Sequence, residues 1–374
     1  MKRNKFINVF ALSLAGLITT GCWDLVEVDQ RAMVTALGID LQGEEIGITY
    51  TIPNFPVLTG QGSGGSPRFV KKTTGSTFLE TNKNFNKISD LRLTFEHTQA
   101  IVFGSDLLHM PQKLKDALDY FDRSPDYAKS IAVVATDKTA GELLGVTPNS
   151  QKLIGLYIAS LFNPQSGEVV SDQKVTLNDF LCSLYDTNGC GQLPLIINKD
   201  KEVQMDGIVF LKDYEKKLTL PFDQLAPYDW VCGTGSDTIE NVDYKETKLS
   251  YEISQVSRKV KIKETDDGLD IQIIVQTEGD IDEFILDPKE NVFKSKTVSE
   301  IEKLLAEKMG ERMNEMVLKI QKQLAYDAFN IAGRIKMQNG RLWEKIKDDY
   351  DAYFTSAKIT IEVEPHIRRI GMSK

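Results

Sequence analysis

The sequence predicts an α+β protein of mixed sheets with packed helices, and three observations predict it. Strand-like and helix-like segments alternate through the first half of the chain, alternating apolar runs cluster after Lys248, and one long amphipathic helix follows them. The 374 residues exceed what one hydrophobic core usually organises, so two or three domains are expected.

The chain begins Met1, Lys2, Arg3, Asn4, Lys5, and an apolar run from Phe6 to Ile18 then leads to Thr19, Thr20, Gly21 and Cys22. A positive start, an apolar middle and small residues before a cut describe a signal peptide over residues 1–21. The run is shorter than the roughly 20 residues a helix needs to cross a bilayer, so it reads as a targeting segment. A cysteine directly after a small residue marks a lipoprotein signal, whose thiol takes a diacylglyceryl group. Cys22 is therefore the expected lipid anchor, although Thr19 stands where leucine is commonest. Each buried methylene adds about 0.8 kcal/mol, so several acyl chains on one cysteine hold firmly where a single chain does not.

Loss of Lys2, Arg3 and Lys5 with the signal takes the formal charge from -9 to -12. An acidic chain argues against nucleic acid or anionic headgroups as a main partner, since both demand basic patches.

After the anchor, Arg31 to Asp40 and Ile46 to Ile52 read as strands joined near Gln42-Gly43. Pro53 to Pro67 is rich in proline and glycine and reads as an exposed loop. A helix is expected over Thr77 to Ser89, a strand over Gln99 to Gly104, and a helix from Pro111 to the stop at Ser124-Pro125 with Leu114, Leu118 and Phe121 on one face. Ile131 to Ala135 is a further strand and Thr139 to Leu144 a short helix. Gln151 to Phe162 and Leu177 to Tyr185 are helix-like, and Gly207 to Leu211 is strand-like. Strands over Leu249 to Val256, Lys259 to Lys263 and Leu269 to Thr277 follow, with a turn at Asp266-Asp267-Gly268.

The long helix is expected from Val298 to about Ala332, where Ile301, Leu304, Leu305, Met309, Met313, Met316, Val317, Ile320, Leu324, Ala328 and Ile331 recur at three- and four-residue spacing. It should lie on an antiparallel sheet of a C-terminal domain, and Thr297 with Glu300 reads as a capping box at its start. A helix near Leu342 to Phe354 and a strand over Lys358 to Val363 end the chain. The expected division is a mixed α/β domain over 22–165, a small middle domain over 166–240 and the C-terminal domain over 241–374.

Chemistry is sparse. Three histidines, His97, His109 and His366, are scattered, and neither a Gly-x-Ser-x-Gly elbow nor a His-Glu-x-x-His pair occurs. Gly60, Gly62 and Gly65 spell G-x-G-x-x-G, but Pro53, Pro56 and Pro67 flank them where a dinucleotide site needs a strand and a helix, so they read as loop. Asp280-Ile281-Asp282-Glu283 and Asp348-Asp349-Tyr350-Asp351 lack calcium-loop spacing. The Met309, Met313, Met316 stripe reads as core rather than a binding groove. Cys182 and Cys190 either close a short disulfide loop or stay as thiols, and Cys232 is left over. With no histidine near these thiols, neither metal nor cofactor is expected.

These landmarks resemble the Ger(x)C family, the C-subunit lipoproteins of spore germinant receptors. The resemblance is carried by Cys22-Trp23-Asp24, Glu27, Arg31-Ala32 and Gly38-Ile39-Asp40, then by His97-Thr98, the strand Ile101 to Gly104, Leu118, Phe121, Arg123 and Pro125. Its most specific part is Asp327, Phe329, Gly333, Trp343, Phe354, the strand Ile359 to Val363, Arg368 and Gly371, with Tyr350 where a second tryptophan is usual. It implies a three-lobed α+β architecture and no enzymatic activity. It also implies a place on the outer face of the spore inner membrane, beside an integral-membrane A subunit and a transporter-like B subunit that captures the nutrient. The competing reading, a solute-binding lipoprotein of a transporter, would show two similar lobes about a ligand cleft.

Overall fold

The computed structural model describes residues 30–370, apart from 62–63, 163–172, 201, 246, 267 and 284–294. The expected signal peptide and Cys22 lie outside the described residues, as does Gly62 of the glycine motif. In chain order the elements are β1 (Arg31–Met33), β2 (Ala36–Gln42), β3 (Glu45–Pro53), α1 (Phe55–Leu58), β4 (Arg68–Gly75), α2 (Phe78–Asn84), β5 (Arg92–Thr94), β6 (Ala100–Phe103), α3 (Pro111–Arg123), β7 (Ala132–Ala135), α4 (Ala140–Gly145), α5 (Ile154–Leu161) and α6 (Leu177–Asp186). There follow β8 (Gly191–Lys199), β9 (Glu202–Lys212), β10 (Glu215–Pro221), α7 (Leu225–Cys232), β11 (Thr238–Tyr244), β12 (Thr247–Thr265), β13 (Gly268–Glu283), α8 (Ser295–Lys319), α9 (Ile331–Gln338), α10 (Gly340–Ile346), α11 (Tyr350–Ser356) and β14 (Lys358–Ile370).

The strands form an eight-stranded sheet in the order β10-β9-β8-β7-β6-β2-β3-β4, a four-stranded sheet β11-β12-β13-β14 and a two-stranded pair β1-β5. The middle of the large sheet is parallel, from β2 through β6 and β7 to β8, and its wings are antiparallel hairpins. Connection length explains the difference. β2 and β3 are joined by a tight turn with Gly43 at φ 64°, whereas β6 and β7 are joined through α3. Strands on both sides of residue 165 belong to this one sheet, which therefore joins the expected first and middle domains edge to edge.

Alternation along the central strands feeds two cores. Ala36, Ala100, Val102 and Val134 face a core shared with α4, α5 and the C-terminal elements. Leu37, Ile39, Ile101, Phe103 and Val133 face the other, with Leu114, Leu118 and Phe121 of α3 and Phe180 of α6. The predicted face of α3, Leu114, Leu118 and Phe121, is buried, and Thr77 caps α2 by accepting from the Glu80 N–H.

In the C-terminal sheet β11, β12 and β13 are antiparallel, and β14 joins β13 in parallel after the long excursion through α8 to α11. β12 runs unbroken through the position where two strands were expected, with register shifts near Tyr251 and Ser254 absorbing the irregular pattern. α8 lies along β14, and Ile301, Leu305, Met309, Met313, Met316, Val317, Ile320 and Leu324 are all buried, so the methionine stripe is core. Two expectations for this helix change. It starts at Ser295, ahead of Thr297, and Glu300 accepts a hydrogen bond from the Tyr244 hydroxyl at 2.8 Å instead of closing a capping box. It also ends early, in a π-helical turn over Ile320–Leu324, because Ala325 adopts φ 49° and the chain beyond it packs onto the central sheet.

β4, β5, β8, β10, β11 and α7 have no counterpart in the sequence reading, and the expected loop over Pro53 to Pro67 holds the short helix α1. β8 carries Pro194, which weakens a strand signal, and α7 is buried on nearly every side, so neither shows a clean period.

Candidate functional site: a cleft between the central sheet and the C-terminal helices

A cleft of about 960 Å³ opens between α6, β8 and Tyr228 of α7 on one side and residues 326–352 on the other. Its far wall depends on how the chain leaves α8. Ala325 at φ 49° and Asn330 at φ 55° occupy the left-handed region, which costs a residue with a side chain about 1–3 kcal/mol unless its surroundings hold it there. Lys212 of β9 supplies one such hold. Its Nζ donates to the Ala325 carbonyl at 2.5 Å and pairs with Asp351 at 3.0 Å.

Asp327 organises the next turn. Its Oδ1 accepts from the Phe329 N–H at 3.0 Å, and its Oδ2 accepts from the Ala332 N–H at 2.7 Å and from the Tyr350 hydroxyl at 2.9 Å. One buried carboxylate thus satisfies the Ala332 N–H in the open first turn of α9 and ties it to the start of α11. Burial, and then the Asp327 charge, push the Tyr350 hydroxyl far above its ordinary pKa.

Three long-range contacts close the joint. The Tyr228 hydroxyl donates to Gln192 Oε1 at 2.7 Å and lies 3.0 Å from the Ala328 carbonyl. Arg258 of β12 reaches both sides, donating to the Val231 and Phe329 carbonyls at 2.8 Å each. Rings continue the connection from Phe210 through Tyr228, Phe329 and Phe354 to Tyr350, with successive centroids 5.5, 5.9, 6.5 and 6.3 Å apart.

The thiols are placed apart in character. Cys182 is exposed on α6, Cys190 is buried beneath the cleft, Cys232 is partly buried at the end of α7, and all three are free. Burial raises the Cys190 thiol to about 11 and the Cys232 thiol to about 12, so both stay neutral and unreactive near pH 7. Among the described residues no group of three or more His, Cys, Asp or Glu is placed to hold a metal ion. No described helix is long and apolar enough to cross a membrane. Asp327, Tyr228 and Tyr350 are each engaged within the protein, so these groups tie the central sheet to the C-terminal helices.

Residues singled out by the resemblance gather at two such joints. Asp327, Gly333, Trp343 and Tyr350 line the cleft, and Phe354 packs against both Tyr350 and Phe329. Gly38, Asp40 and Gly104 meet at the N-terminus of α4, where the two Asp40 oxygens accept from the Ala140 and Gly141 N–H groups at 2.7 and 3.0 Å. A Cβ on Gly38 would lie 2.9 Å from Ala140 Cβ, and one on Gly104 would collide with the Asp40 carboxylate. Lys212, Tyr228 and Arg258 were not legible as site residues, because their partners lie 27 to 139 residues away along the chain.

Comparison with known proteins gives this joint its context. Residues 24–197 match the model described as the spore germination protein N-terminal domain, and residues 205–371 match the one described as spore germination B3/GerAC-like, C-terminal. Spore germination protein B3 of Bacillus subtilis (strain 168) is 25% identical over 98% of this chain and 98% of its own. Spore germination protein KC of the same organism is 25% identical over 96% of this chain and 94% of its own. The crystal structure of the GerBC protein superposes with a TM-score of 0.61 at 17% identity, covering 89% of this chain and 96% of that one. The fold is therefore GerBC-like, and sheets of eight, four and two strands are not the two similar lobes of a solute-binding protein. With both family models matched in sequence and together spanning nearly the whole chain, the protein belongs to the GerAC family of spore germination proteins.

Proposed function

We propose that this chain is the lipid-anchored C subunit of a spore germinant receptor, a non-enzymatic component that assembles and signals with integral-membrane A and B subunits. The observation that carries the reading is the match to both germination family models over residues 24–197 and 205–371. The anchor is a diacylglyceryl group on Cys22, behind the signal peptide of residues 1–21, and it holds the protein on the outer face of the spore inner membrane. Confinement to that surface raises the local concentration of partners, so a weak interface suffices for assembly.

Two experiments test this reading. Affinity capture of the tagged chain from detergent-solubilised spore membranes should bring down both membrane subunits, and capture of neither would sink the subunit assignment. Metabolic labelling with a fatty acid should mark the parent and not Cys22→Ala, and equal labelling of the two would remove the anchor.

A further inference from the structure

The hairpin of β3 and β4 differs in charge from the rest of the molecule. Residues 46–79 contain neither aspartate nor glutamate, although the chain holds 54 of them in 374 residues, and they carry Arg68, Lys71 and Lys72. Arg68 is buried and donates to the Leu144 and Lys152 carbonyls at 3.0 Å each, which leaves exposed Lys72 and half-buried Lys71 as the charges that solvent meets.

Apolar side chains are exposed along the same stretch. Phe55, Phe69 and Val70 are 48%, 47% and 43% exposed, and α1, made of Phe55, Pro56, Val57 and Leu58, buries none of its residues. Single apolar residues on a surface need no partner. A helical turn built only of apolar residues, set in a run from Pro53 to Pro67 that holds no charge, is a different case, because it has no core to serve.

Topology puts this segment at the end of the large sheet where the chain enters it. Ala36, the first residue of β2, pairs with Thr51 near the end of β3, and Thr51 pairs with Val70 of β4. The Thr35 N–H donates to the Thr51 carbonyl at 2.9 Å, and the Asn54 N–H closes the base of the α1 loop on the Pro67 carbonyl at 2.9 Å. α1 therefore leaves the sheet beside the point at which the chain comes in. Gln30, five residues before that point, is eight residues from Cys22, and eight extended residues span at most about 30 Å. A lipid on Cys22 thus holds this end of the sheet close to the bilayer.

We propose that α1 is a membrane-contacting loop whose Phe55, Val57 and Leu58 enter the headgroup region of the leaflet that holds the anchor, with Phe69 and Val70 at its base. The inference rests on the lipid-anchor reading for the direction of the membrane, but the contact is made by side chains of the fold. Burial of apolar surface draws the tip in. With the signal removed the formal charge is -12, so an anionic surface repels most of the molecule, whereas this hairpin has no carboxylate to repel and two lysines to attract. The effect is orientation. Acyl chains alone leave the molecule free to swing about its tether, and a second contact fixes which face meets the lipid.

The test uses the mature chain with Cys22→Ser, which lacks only the acyl groups. Its sedimentation is measured with phosphatidylcholine vesicles and with vesicles that also contain phosphatidylglycerol. Both should bind it, the second more strongly, and binding to phosphatidylcholine should persist as salt is raised, because apolar contact is not screened. Phe55→Ser with Val57→Ser should lower the partition coefficient about tenfold on either vesicle, with an unchanged thermal unfolding midpoint since α1 has no buried side chain. Ile239→Ser with Leu318→Ser, which removes two equally exposed apolar side chains from the C-terminal part, should leave it unchanged.

No sedimentation with either vesicle, no loss in Phe55→Ser with Val57→Ser, or an equal loss in the control pair would each overturn the proposal. Vesicle binding at the parent's level, while those two serine changes abolish a dimer of the free chain or its capture of the membrane subunits, would also overturn it, in favour of a protein interface. Because the tested chain carries no acyl group, its vesicle binding is independent of fatty-acid labelling at Cys22, and the two readings fail separately.

Discussion

Asp327 accepts three hydrogen bonds from groups that would otherwise be stranded where the C-terminal helices meet the central sheet. Asp327→Ala leaves the Tyr350 hydroxyl without its partner, a loss of about 1–3 kcal/mol for that one group, and the two backbone donors add to it. Asp327→Asn keeps an oxygen acceptor and should be the milder change. Urea unfolding checks the order, and an Asp327→Ala midpoint equal to the parent's would mean that the joint does not depend on this carboxylate. At the α4 joint Asp40 works in the same way, with a burial cost that raises its own pKa, opposed by the Ala140 and Gly141 N–H bonds. Asp40 caps α4 from about 100 residues away along the chain, whereas Asp327 acts within its own turn and on Tyr350, 23 residues on.

For the elements, α8 is the main beam of the C-terminal part, and its last apolar residue, Leu324, is almost wholly buried within the π-helical turn. Leu324→Ala should cost about 2–5 kcal/mol, read as a lowered midpoint of thermal or urea unfolding. An unchanged midpoint would show that this turn is not packed as described. Periodicity revealed the face of α8 because its neighbours lie three and four residues apart. It could not reveal the stop at Leu324, since Ala325, Tyr326 and Asp327 are not helix breakers. The break is made by Lys212, Tyr228 and Arg258, which hold the following backbone from other elements.

The whole molecule stores a pH dependence in its buried neutral groups. Burial holds the Cys190 and Cys232 thiols at about 11 and about 12 and pushes the Tyr228, Tyr326 and Tyr350 hydroxyls up as well. Because the folded values exceed the unfolded ones, 9.0 for the thiols and 10.0 for the hydroxyls, this stability is fully present below about pH 9. It is lost as pH rises from there through the folded values. The midpoint of thermal unfolding should therefore fall as pH rises from about 9 to about 11, and Cys190→Ala with Cys232→Ala should flatten the decline. A midpoint that stays level over that interval would contradict the burial of these groups.

Local pattern determined much about this protein without any coordinates. Alternation and three- or four-residue spacing depend on near neighbours, so the first hairpin, α2, α3, β6, β7, α6 and the buried stripe of α8 could be read directly. The residue set from Cys22 to Gly371 likewise pointed to the germination family. Tertiary structure alone decided that strands from both sides of residue 165 share one sheet, and that the long helix stops at Leu324. It alone brought Asp327, Tyr228 and Arg258 to one joint. The physical reason is range: hydrophobic period records which face of an element is buried, whereas strand order, helix ends and side-chain partners are fixed by contacts between residues far apart in the chain.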